Sequence, residues 1–124
     1  MPTTEVLFYR EDDGTIPLVD WLDSLTPKAQ ARWIARLKRL EEFGHQLRRP
    51  EADFLRAGIH ELRLREEGLA YRILYFLHGR QSVVLTHGFV KGAARVPEWE
   101  LRAALRRKAR FEMDPANHTF RPEK

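Results

Sequence analysis

Three β-type runs joined by two tight turns occupy residues 59–91, and this block constrains the fold more than any other part of the chain. In the first run, Leu62 and Leu64 alternate with charged residues, a period of two that is typical of a strand with one buried and one solvated face. The second run, over residues 70–77, is apolar almost throughout, which predicts a central strand covered on both faces. We therefore expect a three-stranded meander.

One charged residue, Arg72, lies in the middle of the apolar second run. Burying a guanidinium costs free energy unless a carboxylate, a phosphate or a water-filled cleft receives it. We expect Arg72 to bind phosphate, so that the Arg72→Met variant folds with its stability unchanged or raised and loses activity. If Arg72 only satisfies a structural carboxylate, we expect that variant to stay active.

The segment before the block predicts one strand and two helices. Residues 4–10 cluster β-forming side chains, which predicts a strand that joins the same sheet. Pro17 stands where a first helical residue is tolerated, and Thr26 and Pro27 form an N-cap and first position for a second helix. The outer face of this second helix carries basic residues that could contact RNA but that we interpret as a charged, solvated surface, namely Lys28, Arg32, Arg36 and Arg39.

The remaining segments predict an irregular connection, a third helix and a tail. Residues 45–57 show no clear period, a helix follows Pro97, and the segment after Met113 has no periodicity. The fold class predicted is α+β, with helices packed on one face of an antiparallel-rich sheet and the order strand, helix, helix, three-stranded meander, helix. We expect one domain over residues 1–112 and a flexible tail over residues 113–124.

Length and composition limit the classes of protein that are possible. The 124 residues, 43% of them hydrophobic, suffice for one core without covalent staples. The chain has no cysteine, which excludes disulfides and thiolate metal sites. No apolar run approaches the length of a membrane span, and the start of the chain does not resemble a signal peptide. We expect a cytoplasmic protein with no membrane partner.

The positive charge of the chain is concentrated in its second half. The net charge is +4, but residues 56–110 alone carry 12 Lys and Arg against 5 Asp and Glu. Arginine, which suits bidentate phosphate contacts and stacking on bases, supplies 17 of the 22 basic residues. This distribution favours a polyanionic partner.

Several catalytic classes have no support in the sequence. It contains no Gly-rich phosphate loop, no HExxH and no Gly-x-Ser-x-Gly motif. His60, His78 and His87 fall on three neighbouring strands, but without a carboxylate triad each is better explained as a packing or hydrogen-bonding histidine. We predict no metal and no cofactor.

Cations recur on the three strands, at Arg63, Arg65, Arg72 and Lys91. Converging cations suit the attack of an RNA 2′-hydroxyl on the adjacent 3′-phosphate, because they stabilise the charge that builds on the phosphorane and on the leaving oxygen. The side chains available for proton transfer are His60, Glu61, His87 and Lys91. The alternative is that Arg63 and Arg65 form surface ion pairs with Glu66, Glu67 or Glu98.

The strand block also resembles the phage-type HigB branch of the RelE/ParE toxin superfamily, in pieces that occur in the same order and spacing. These pieces are HELRLR at residues 60–65, AYRILYF at residues 70–76, HGR at residues 78–80 and HGFVK at residues 87–91. The resemblance extends from Val6 to about Phe111. It implies a RelE-like compact fold, metal-independent cleavage of messenger RNA in the A site of the 30S subunit, and a HigA-like helix-turn-helix antitoxin that alone contacts operator DNA.

The resemblance matches five residues to basic positions of the family, namely Arg63, Arg65, Arg72, Lys91 and Arg95. The implied catalytic residues are Arg63, Arg65, Arg72 and Lys91. The expected RNA-binding residues are Arg80, Arg95, His60, His87 and Trp99. Trp99 lies where RelE-type enzymes use a tyrosine, so it can stack on a base but offers no phenol for proton transfer.

Two other functions stay open at the level of sequence. A ParE-like protein shares the fold but inhibits DNA gyrase without cutting RNA. An inactive prophage remnant would only bind its antitoxin, and the Gly92-Ala93-Ala94 segment favours this reading because the HigB branch often has a basic run there.

Overall fold

The structure is a computed structural model that describes residues 3–92 and 95–122 of the chain. Its helices are α1 (Pro17–Asp23), α2 (Pro27–Phe43) and α3 (Glu98–Met113), with a single 3₁₀ turn at Gly44–Gln46. Its strands are β1 (Glu5–Tyr9), β2 (Ala52–Arg56), β3 (Ile59–Glu66), β4 (Leu69–His78), β5 (Ser82–Lys91) and β6 (Thr119–Phe120). Among the described helices, none is both long and apolar enough to cross a membrane.

The six strands form one mixed sheet in the order β2-β3-β4-β5-β1-β6. Strands β3, β4 and β5 are antiparallel neighbours, so the predicted meander is confirmed. Residues 71–76 of the central strand β4 are all buried, as its apolar sequence predicted. Strand β1 joins the same sheet but runs parallel to β5, which makes the sheet mixed.

The starts of α1 and α2 agree with the sequence. Pro17 and Pro27 occupy the first helical positions, and the Thr26 hydroxyl accepts a hydrogen bond from the backbone N–H of Ala29 at 3.2 Å. At the end of α2, Gly44 has a φ of 48°, and a Cβ built there would lie 2.0 Å from Oγ1 of Thr4. This position therefore requires glycine.

The three helices cover both faces of the sheet. Trp33 and Leu40 of α2 pack with Ile73 on one face, together with α1. On the opposite face, Leu101 and Phe111 of α3 pack with alternate residues of β4 and β5. The prediction of helices on one face is therefore wrong for α3. The physical reason is that β4 is apolar on both sides, so both of its faces need cover.

The segment predicted to be an irregular connection contains the edge strand β2. It pairs antiparallel with β3, from Ala52 opposite Leu62 to Arg56 opposite Ile59, with an irregularity in register beside Phe54. A five-residue edge strand with a bulge has too few regular positions to show a period of two, which is why the sequence pattern missed it.

The C-terminal segment packs on the domain, whereas a loose tail was expected. His118 is buried and stacks on Tyr9, with ring centroids 5.3 Å apart and planes 4° from parallel. Thr119 and Phe120 then pair antiparallel with β1. These contacts are made by isolated residues over a long sequence separation, and such contacts produce no local periodicity.

Candidate functional site

Four of the cations identified in the sequence lie on one face of the sheet, beyond the part that α3 covers. Across the strands, Arg63 lies directly opposite Arg72, and Arg65 lies opposite Ala70, whose other neighbour is Lys91. Side chains directly opposite or diagonal on one face are within reach of each other. We call Arg63, Arg65, Arg72 and Lys91 the cation face.

Arg72 is received by a carboxylate, one of the possibilities left open by the sequence. Its Nε donates to Oε1 of Glu61 at 2.9 Å, and its Nη1 donates to the backbone carbonyl of Tyr71 at 2.9 Å. Burial lowers the pKa of Arg72, and the charge of Glu61 opposes this shift. Among the described residues, Nη2 of Arg72 has no hydrogen-bond partner, so one edge of the guanidinium can still receive an anion.

Arg63 and Arg65 do not form the surface ion pairs that were the alternative. Nη1 of Arg63 lies 3.8 Å from Oε2 of Glu61, and Nη1 of Arg65 donates to the carbonyl of Gly68 at 3.3 Å. Glu66 instead contacts Lys28 and Arg32 of α2. Glu98 contacts Arg56 and Arg102, so it too is engaged away from the cation face. The cation face therefore keeps an excess of positive charge.

Lys91 is half-buried at the end of β5, in surroundings that disfavour its charged form. Burial lowers the pKa of Lys91, and Arg72, Arg63 and Arg65 add to the shift, whereas Glu61 opposes it. The same neighbours show that the ammonium lies within electrostatic range of the other cations of this face. A lysine with a lowered pKa is suited to proton transfer as well as to charge stabilisation.

His87 lies on the same face, next to the cation face, but uses both ring nitrogens within the protein. Its Nδ1 lies 3.0 Å from the hydroxyl of Thr86, and its Nε2 lies 3.0 Å from Oε1 of Glu100. Burial, with smaller contributions from Arg107 and Arg106, lowers the pKa of His87 to about 4. The ring is therefore neutral at neutral pH, and both of its nitrogens lie within hydrogen-bond distance of protein partners, while the Thr86 hydroxyl donates to the carbonyl of Leu74 at 3.2 Å.

Two other residues expected to bind RNA lie apart from the cation face. His60 is on the opposite face, where its ring stacks on Tyr75 at 5.2 Å and meets the edge of Phe54. Arg80 lies in the turn between β4 and β5, about 26 Å along the strand from Arg72 if each residue advances about 3.3 Å. The structure therefore does not bring His60 or Arg80 together with the predicted catalytic residues.

The connection from β5 to α3 carries the last two predicted RNA-binding residues. Arg95 is exposed in that connection, and Trp99 is 70% exposed in the first turn of α3. Both side chains are accessible to a large ligand. Residues 93 and 94, part of the Gly-Ala-Ala segment noted in the sequence, lie outside the described residues.

The three histidines considered as metal ligands point to different environments. His60 packs on Tyr75, His87 bonds to Glu100, and His78 packs on Phe111 at the other end of β4. Within residues 3–92 and 95–122, no cluster of three or more His, Cys, Asp or Glu side chains has the arrangement of a metal site.

Two arginines of α2, for which the sequence favoured a solvated helix face, instead contact the edge of β3. Nη1 of Arg36 donates to the carbonyl of Arg63, and Nη1 of Arg32 donates to the carbonyl of Arg65 at 2.8 Å. Both side chains help to form an open pocket of about 280 Å³ at the edge of β3. Its lining residues are Arg32, Arg36, Pro50, Arg63, Leu64, Arg65 and Arg72. Helical spacing alone carries no signal for such a contact.

The chain matches the model of a known protein family. Residues 20–109 match the family described as phage-derived protein Gp49-like (DUF891), a span that includes α2, the meander and most of α3. The chain belongs to the Gp49-like family. This is a toxin-like family related to RelE- and HigB-type toxins, and membership implies an antitoxin partner. No curated protein matches the chain. For this Gp49-like protein, the matched region contains all four residues of the cation face.

Proposed function

We propose that this Gp49-like protein is the toxin of a type II toxin–antitoxin system and that it cleaves messenger RNA on the ribosome. The observation that carries the proposal is the cation face, in which four basic side chains from three adjacent strands lie on one face of the sheet beside the carboxylate of Glu61. Family membership supports the toxin class. The nuclease activity is supported by the chemistry that these side chains suit.

The proposed reaction is an internal transfer of the phosphoryl group. The 2′-oxygen of one nucleotide attacks its own 3′-phosphorus, the bond from phosphorus to the 5′-oxygen of the next nucleotide breaks, and a 2′,3′-cyclic phosphate and a 5′-hydroxyl result. Negative charge builds on the phosphorane oxygens and on the leaving oxygen. Arg72 and Arg63 would stabilise the phosphorane, because preorganised donors act most strongly where charge develops.

Lys91 and Glu61 are the residues that we propose for proton transfer. The lowered pKa of Lys91 makes its ammonium a stronger acid than an ordinary lysine, so it is suited to protonate the leaving 5′-oxygen. Glu61, which its hydrogen bond with Arg72 holds beside the cation face, would accept the proton that the attacking 2′-hydroxyl loses. His87 is less suited, since both of its ring nitrogens are engaged with Thr86 and Glu100. The proposed mechanism requires no metal ion.

The proposed partners follow from this activity. The RNA substrate would be presented in the A site of the 30S subunit, and a HigA-like helix-turn-helix antitoxin would neutralise the toxin and carry the complex to operator DNA. A basic toxin surface favours an anionic segment on the antitoxin and an association that weakens as salt rises. Equal association rates at low and high salt would contradict this electrostatic contribution.

The test is induced expression followed by mapping of transcript ends. We expect growth arrest and cuts within translated messages, and no cuts in a matched transcript whose start codon has been removed. The Lys91→Gln variant, expressed to the same level, should leave both transcripts intact. A DNA-damage response with intact transcripts would instead favour gyrase inhibition, and normal growth with soluble, folded protein would favour an inactive remnant.

A further inference from the structure

The open pocket beside β3 exists because β2 stops pairing before β3 ends. The last paired residues are Ala52 and Leu62, after which the N–H of Arg63 donates to the carbonyl of Glu51 at 2.8 Å. Beyond that point the edge of β3 faces α2 and Pro50 instead of another strand. Arg36 and Arg32 of α2 hydrogen-bond to the carbonyls of Arg63 and Arg65, so side chains replace the missing strand.

Carboxylates that do not line the pocket contact three of its arginines. Arg32 contacts Oε1 of Glu66 at 2.8 Å, Arg72 contacts Glu61 at 2.9 Å, and Nε of Arg36 lies 3.8 Å from Glu51. The described residues that line it are five arginines with Pro50 and Leu64, and none of these is acidic. Guanidiniums that are fixed in place and still present N–H groups are well suited to bind a phosphate.

The pocket is continuous with the cation face. Arg63, Arg65 and Arg72 belong to both, so a chain of phosphates that leaves the cation face across the edge of β3 meets Arg32 and Arg36 next. Proteins that bind single-stranded nucleic acid use a positively charged groove of this kind to follow the backbone. At about 280 Å³ the pocket is near the lower limit of about 300 Å³ for small-molecule sites, which suits a phosphate group better than a whole ligand.

We propose that this pocket binds a backbone phosphate of the RNA strand that lies on the cation face, and that Arg32 and Arg36 are RNA-binding residues. The inference rests on the proposed function, because it takes its ligand to be the strand that is cut. It extends the RNA-binding surface from the sheet to α2.

The experiment measures the binding of a fluorescein-labelled 2′-O-methyl RNA of about ten nucleotides, a length within the usual range for single-strand sites. Such an RNA lacks the attacking hydroxyl, so binding is separated from cleavage. We expect Arg32→Gln and Arg36→Gln each to weaken binding about five- to tenfold, as the loss of one charged hydrogen-bond donor predicts. Each should also reduce the slope of log affinity against log salt by about 0.7.

The matched control is Lys38→Gln, which removes a positive charge from an exposed position of the same helix that does not line the pocket. It should bind as the parent protein does. Arg36→Lys is a second variant, expected to recover much of the affinity because it keeps the charge. Thermal melting of every variant separates a loss of RNA contacts from a loss of folding.

Two results would overturn the proposal. One is unchanged RNA affinity in folded Arg32→Gln and Arg36→Gln; the other is an equal loss in Lys38→Gln. If these variants keep RNA affinity but lose binding of an acidic peptide, the pocket belongs to a protein partner and the proposal also fails. RNA binding that depends on the pocket, in a protein that never cuts translated messages, would support the pocket and refute the nuclease.

Discussion

Nε of Arg72 lies 2.9 Å from Oε1 of Glu61, and the side chains of both residues are only 7% exposed. The register of the sheet produces this contact, since Arg63 lies opposite Arg72 and Glu61 is two residues before Arg63 on the same face. The pair therefore spans adjacent strands diagonally, a distance that long side chains can bridge. It satisfies the buried guanidinium and leaves Nη2 of Arg72 without a partner among the described residues.

This contact changes the expected behaviour of Arg72→Met. The sequence predicted unchanged or raised stability, but methionine would leave Glu61 buried with only Arg63 at 3.8 Å. Breaking a buried pair from one side typically costs about 3 to 5 kcal/mol. We expect Arg72→Met to lower the free energy of unfolding in urea by about 3 kcal/mol. The double variant Glu61→Met, Arg72→Met should recover most of that loss, since it removes both charges.

The double variant also separates structure from catalysis. If Arg72 stabilises the phosphorane, RNA cleavage stays lost in the double variant although its stability returns. Full cleavage by the stable double variant would show that the Arg72–Glu61 pair has only a structural role.

Lys91→Gln should reduce the rate of RNA cleavage without weakening the fold. Removing one donor to a developing anion costs about a hundredfold or more in rate, whereas partly exposed substitutions usually change stability by about 0.5 kcal/mol or less. Cleavage on isolated ribosomes and urea unfolding measure the two quantities, with Lys38→Gln as the control for lost charge. A loss of rate of only about tenfold, instead of about a hundredfold, would contradict the role proposed for Lys91.

Lys91 also predicts a pH dependence. Because the pKa of Lys91 lies below its ordinary value of 10.5, a rate that needs the ammonium should fall at a lower alkaline pH than for a free lysine. Lys91→Arg, which keeps its proton to higher pH, should move this alkaline limit upward. Identical pH–rate profiles for the two proteins would mean that Lys91 does not donate the proton.

His87 predicts a loss of stability in mild acid. The folded-state pKa of His87 is about 4, below its ordinary value of 6.5. The neutral ring therefore contributes its full stability above pH 6.5, and this is lost as the pH falls toward 4, a difference worth about 3 kcal/mol. His87→Gln keeps a neutral donor facing Glu100, so its stability should fall less between pH 7 and pH 4. If the unfolding free energies of the two proteins fell equally between pH 7 and pH 4, the loss of stability would not come from His87.

Shortening the chain tests the docking of its C-terminal segment. A chain that ends at Asn117 lacks the buried His118, its stack on Tyr9 and the pairing of β6 with β1. We expect its unfolding free energy to fall by about 2 to 4 kcal/mol, the scale of one buried side chain and its hydrogen bonds. A chain that ends at Phe120 keeps these contacts and should unfold close to the full-length protein. Equal stability of the two shortened chains would show that residues 118–120 do not stabilise the fold.

Much of this domain could be predicted from its sequence, because the relevant signals are local. Alternation in β3, the apolar run of β4, the first helical position of Pro17 and the N-cap at Thr26 depend on neighbouring residues along the chain. The meander follows from these strands and their short turns. Once the meander forms, its register brings Arg63, Arg65, Arg72 and Lys91 to one face, so the sequence also identified the members of the cation face.

Contacts between distant residues were decided by the tertiary structure. The alternation of charged and apolar residues along β3 would be the same if Glu61 faced solvent. Only the register of β3 and β4 places Glu61 against Arg72. Arg32 and Arg36 have the spacing of any solvated helix face until α2 packs beside the open edge of β3. Local periodicity determines which side of an element a residue occupies, whereas the identity of its partner depends on how separate elements pack, and no local pattern records that.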